Sequence, residues 1–97
     1  MKKPTEKELT TAIRKLLRQH GGFFFKHWGK PLSKVGTPDL IGCFEGKAVV
    51  IEVKGPRGRV SKAQEDFLRK WREAGGIAFV AHSVEDVIRK LDLPVLF

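Results

Sequence analysis

Apolar positions change period along this chain, and each change marks an element. Leu9, Ala12, Ile13, Leu16 and Leu17 recur at three- and four-residue steps, so residues 5–19 read as a helix with one apolar stripe. Thr5 and Glu8 have capping-box spacing at its start, and Gly21-Gly22 stops it. The aromatic run 23–28 reads as a strand. A Gly-, Pro- and Lys-rich loop follows to Pro38. Residues 39–44 and 47–54 read as two strands joined by a tight Glu45-Gly46 turn. The Val/Ile run of the latter marks a central strand, buried on both faces. Ser61 and Gln64 open a second helix with another capping box, and Gly75 closes it. Ala63, Phe67, Trp71 and Ala74 are its expected buried face. Residues 77–81 form a fourth strand, and Ser83 caps a last helix carrying Val84, Val87, Ile88 and Leu91. The order is α-β-β-β-α-β-α. Its β-α-β unit requires part of the sheet to be parallel, so the fold class is α/β, or α+β if the hairpin is weighted more heavily.

The chain has 97 residues, suited to one domain spanning 1–97, with no internal repeat or interdomain linker. Its 41% apolar content is enough for a core and excludes wholesale disorder. No apolar stretch reaches membrane-spanning length, and no apolar run follows the N-terminal lysines as a signal peptide requires. A single cysteine, Cys43, fits a reducing cytoplasm; in its apolar strand it is expected in the core. His20, His27 and His82 make no zinc spacing with it. Residues 55–59 lack the Lys-Ser/Thr of a phosphate-binding loop, so no nucleotide cofactor is expected.

Charge narrows the function. The formal net charge is +8, and residues 1–38 hold nine Lys/Arg against two acids. Such an excess is the footprint of a polyanion-binding protein, with solvated surface or anionic-membrane attraction as the plainer accounts. Arg57, Arg59 and Lys62, with Lys30 and Lys34 in the earlier loop, are the candidate DNA-phosphate contacts. For the two arginines a plain exposed turn is an equal alternative. Of Phe23, Phe24 and Phe25, alternation leaves at least one exposed, at a dimer interface or under the last helix.

Chemistry concentrates between Gly36 and Lys54. A two-residue turn at 45–46 sets Asp39 opposite Glu52, and Lys54 falls on the same face as Glu52. Two carboxylates and the Val53 carbonyl between Glu52 and Lys54 suit Mg²⁺ or Mn²⁺, which take oxygen ligands and retain waters. Lys54 is placed to orient or deprotonate a water and to stabilise phosphate charge. A surface salt bridge between Lys54 and either acid is the competing account. Against it, Ile51 and Val53 flank Glu52, so this acid interrupts a buried strand and needs a partner or a metal.

Gly-Thr-Pro-Asp at 36–39 followed by Ile-Glu-Val-Lys at 51–54 resembles the PD-(D/E)XK nuclease motif. With an acid on the first helix, Gly-Pro-Arg-Gly-Arg-Val-Ser at 55–61 and Gln64 on the next helix, the chain closely resembles the VRR-NUC domain, in its small stand-alone phage and bacterial form. The resemblance implies a restriction-endonuclease-like mixed sheet flanked by helices. It implies a metal-dependent DNA endonuclease, with Asp39 and Glu52 as metal ligands and Lys54 as catalytic lysine. Gln64 and Glu8 match the family's further site positions, Glu6 being the alternative to Glu8; capping alone also accounts for Glu8 and for Gln64. Stand-alone members resemble junction resolvases, which implies a homodimer acting on branched DNA such as the Holliday junction. A non-catalytic basic DNA-binding module is the second hypothesis, resting on charge alone. A pure phosphate binder should avoid converging carboxylates, which repel phosphate unless a cation intervenes.

Overall fold

A computed structural model describes residues 3–26 and 36–94. The elements are α1 (Glu6–Gln19), β1 (Phe23–Lys26), β2 (Leu40–Phe44), β3 (Lys47–Val53), α2 (Lys62–Glu73), β4 (Ile77–Ala81) and α3 (Val84–Leu91). This is the expected order. His27, Trp28 and most of the following loop lie outside the described residues.

The strands form one sheet in the order β1-β2-β3-β4. β1–β2 and β2–β3 are antiparallel, and β3–β4 is parallel, as a helix-containing crossover requires. The β2–β3 turn fixes the register, because Glu45 and Gly46 both have positive φ, 51° and 78°, and so make a two-residue turn that follows the twist of the strands. Leu40 therefore pairs with Ile51, and the next step outward sets Asp39 against Glu52.

Odd-numbered residues of β3 face α1 and α3. Val49, Ile51 and Val53 are fully buried there among Leu9, Ile13, Leu17, Phe79, Val87 and neighbours. Even-numbered residues face α2, where Val50 packs with Leu68 and Ala78. β3 is thus buried on both faces, as its Val/Ile run predicts. Each aliphatic side chain buried there contributes roughly 1.5–3 kcal/mol before conformational entropy is charged against it.

Three burial expectations change. On α1, Ala12 is exposed and Thr10 is buried instead, its hydroxyl donating to the Glu6 carbonyl within the helix (2.7 Å). On α2 the buried residue is Leu68; Ala63, Phe67 and Trp71 are half-buried, and Ala74 is exposed. The helix is rotated so that Leu68 sits over Val50, while Phe67 and Trp71 stack on each other along its flank, ring centroids 5.9 Å apart. Cys43 is exposed rather than in the core. It lies on the α2 face beside Phe23 and Ala48, whereas α2 packs mainly over β3 and β4.

Candidate active site

The site is built on the end of β2 and β3 opposite their turn. Ionising Glu52 is costly: it is only 3% exposed, on the α2 face of a strand whose other residues from Ala48 to Val53 are apolar. Burial, first, then a hydrogen bond and like charge from Asp39, push its carboxyl up to about 9; Lys54 opposes this and Glu6 adds to it. Its Oε2 is buried without a hydrogen-bond partner among the described residues. Asp39 is held by the backbone: its Oδ2 accepts the Val53 N–H at 2.9 Å. N–H and C=O of a strand residue point to the same side, so the Val53 carbonyl lies on that edge of β3 too. The expected convergence of Asp39, Glu52 and the Val53 backbone is therefore present. Lys54 is half-buried, and no ion pair within 4.0 Å ties it to either acid among the described residues. Its backbone N–H continues the β4 ladder to the Ala81 carbonyl (3.0 Å).

The Asp39 loop is fitted to α2. Pro38 is fully buried. Gly36 has φ +87°, and a Cβ there would meet the Ala63 carbonyl oxygen at 2.5 Å, so only glycine lets this loop lie against the first turn of α2. That contact brings the backbone of Gln64 to the Asp39 loop. The Gln64 side chain is turned back to its own helix, Oε1 accepting the Ser61 N–H at 2.8 Å.

The two acids of the first helix have separate placements. The Glu8 carboxylate accepts the Thr5 N–H (2.9 Å), which holds its pKa below the usual carboxylate value. Glu6 turns toward the site, and its Oε2 accepts the Gly55 N–H (3.3 Å). The Gly55 carbonyl meets His82 Nδ1 at 3.0 Å. The turn carrying Arg57 is thus held from α1 and from the β4–α3 junction, and closed by Gly58 N–H to the Gly55 carbonyl (2.9 Å). Arg57, Arg59 and Lys62 are exposed. Arg57 lines a groove of about 420 Å³ with Lys3, Glu6 and Pro56. Lys30 and Lys34 lie outside the described residues. Sequence reasoning left Glu6 as an alternative and gave His82 no role. Both carried a signal. The capping box commits Glu8 to Thr5, leaving Glu6 free, and a residue just past β4 must lie at the same sheet end as Lys54 on its parallel neighbour.

Among the described residues no group of three or more His, Cys, Asp or Glu side chains is arranged to hold a metal ion. Two carboxylates and a backbone carbonyl nonetheless suit a Mg²⁺-type ion that keeps most of its waters. An orphaned oxygen on a buried acid is the feature such an ion would satisfy.

The VRR-NUC domain model matches residues 2–85. Two solved structures are similar to the chain, each at 21% identity. One, described as a VRR_NUC domain, has a TM-score of 0.75 and covers 95% of this chain and 100% of that one. The other, a VRR_NUC domain protein, has a TM-score of 0.73 and covers 94% of this chain and 88% of that one. No curated protein matches. At this identity the likeness to the two structures is one of fold, a mixed four-stranded sheet flanked by helices.

Proposed function

This chain belongs to the VRR-NUC domain family, a family of nuclease domains, and on that premise we propose that it is a metal-dependent endonuclease hydrolysing phosphodiester bonds in DNA. The observation that carries the proposal is Glu52, a buried acid beside a second acid, in a strand whose other inward residues are aliphatic. Without a cation this pair is a liability; with one it is a binding site. Asp39, Glu52 and the Val53 carbonyl would hold Mg²⁺ or Mn²⁺. Bound there, the ion supplies Lewis-acid polarisation of a phosphoryl oxygen and lowers the pKa of a water.

The chain's own groups do the rest. Asp39 is oriented by the Val53 N–H before any ligand arrives, so its carboxylate needs no rearrangement. Lys54, on the same face as Glu52 and free of an ion pair with it, supplies a positive charge for the scissile phosphate and a donor to orient the attacking water. Arg57, Arg59 and Lys62 grip flanking phosphates, and Glu6 and His82 hold the Arg57 turn in place. The preferred substrate is branched DNA, cut by a homodimer whose two sites are related by a twofold axis.

Pure protein is incubated with linear and branched DNA in Mg²⁺, in Mn²⁺ and in EDTA. Cleavage is expected in either metal and absent in EDTA. Glu52→Ala and Lys54→Ala should each lower the rate by at least about 100-fold, with DNA affinity largely kept because the phosphate-gripping cations remain. Intact DNA under every metal condition, with salt-sensitive binding, would instead identify a non-catalytic binding module.

A further inference from the structure

The face of the sheet that bears the carboxylates also bears an aromatic pair which the described residues leave uncovered. Phe24 points into the core, but Phe23 and Phe25 are 78% and 50% exposed. They point to the α2 face, since Phe23 pairs with Cys43 and Phe25 with Ile41, and Ile41 packs against the cluster under α2. Asp39 lies two residues from Ile41 on that face. Beside the pair, Arg14 and Arg18 of α1 reach the edge of β1 and line a groove of about 320 Å³ with Gly22 and the phenylalanines. The Arg14 guanidinium donates to the Phe24 carbonyl (3.4 Å), which fixes it at this edge.

We propose that Phe23 and Phe25 form a stacking platform for unpaired bases of the DNA substrate, with Arg14 and Arg18 holding the phosphates of the same strand. This deepens the endonuclease assignment and rests on it, because it gives the preference for branched DNA a physical basis. Bases unpaired at a branch offer free π-faces, whereas those of a continuous duplex are already stacked. Charge selects the occupant. Among the described residues the groove beside the rings is lined by Arg14 and Arg18 and by no acid, and a nucleic acid strand brings the opposite charge.

The test reads binding, so it stands apart from cleavage. Affinities for a single-stranded oligonucleotide and for a linear duplex are measured by fluorescence anisotropy in EDTA, for the parent protein and for doubly substituted Phe23→Leu/Phe25→Leu and Phe23→Tyr/Phe25→Tyr chains. Leucine keeps apolar bulk and loses the ring; tyrosine keeps the ring. Both positions are exposed, so the fold should survive, and circular dichroism checks this. The leucine chain should lose about ten-fold or more in single-strand affinity, with duplex affinity within two-fold of the parent, and the tyrosine chain should retain both. An unchanged ratio of single-strand to duplex affinity in the leucine chain overturns the proposal. So does a leucine chain that keeps the ratio but changes sedimentation from dimer to monomer, which would give the patch to a second copy. If the ratio falls as expected and no chain cuts DNA in either metal, the endonuclease assignment fails and the platform stands.

Discussion

Glu52 carries its proton in the folded metal-free protein well above the pH at which an unfolded chain would release it. Its carboxyl is raised from 4.5 to about 9, so between those values the native state binds more protons than the unfolded state. Stability of the metal-free protein should therefore fall as pH rises from about 5 to about 9, and Glu52→Gln should flatten that dependence. Urea melts in EDTA at several pH values check the sign. Mg²⁺ or Mn²⁺ favours the ionised carboxylate, so its stabilising effect should grow over the same window, and a constant effect would speak against Glu52 as a ligand. The acids of α1 divide by the same kind of local geometry. Glu8→Ala removes a capping partner and should lower the urea midpoint slightly while cleavage continues. Glu6→Ala frees the Gly55 N–H and should slow cleavage several-fold with little loss of stability, since Glu6 is an exposed positioning residue.

Among the elements, the approach of the Asp39 loop to α2 is the tightest fit. Gly36→Ala meets both a left-handed backbone and the Ala63 carbonyl, and should cost about 1–3 kcal/mol in a denaturant titration. That fit was not legible in the sequence, because it depends on where α2 sits on the sheet. The hairpin was legible: a Glu-Gly turn between two apolar runs sets its own register, and Asp39 and Glu52 followed from it. Both capping boxes were legible for the same reason, being contacts between residues three apart. Burial on α2 was not. Phe67 and Trp71 have the spacing of a core face, yet Leu68 is the one buried, because helix rotation is decided by the partner surface rather than by the helix alone. Cys43 shows the same limit: its strand is apolar, but it is exposed, away from the strands that α2 mainly covers.

At the scale of the whole molecule, the net charge of +8 makes ionic strength a direct probe of the DNA footprint. Binding should weaken linearly in logarithmic salt concentration, and removing Arg57 or Arg59 should each reduce the slope by about 1. Sedimentation at micromolar concentration should show a dimer with or without DNA; monomer under both conditions would remove the paired-site proposal. Among the described residues no helix is long and apolar enough to cross a membrane. The Gly55 turn ties together remote parts of the sequence, one anchor near its beginning and the other just before its last helix. The position of this loop is therefore set jointly by α1 and by the β4–α3 junction, not by its own residues. Shifting either anchor would move the loop even with the Asp39–Glu52 hairpin intact, so the carboxylates and the cations of that loop answer to separate parts of the fold.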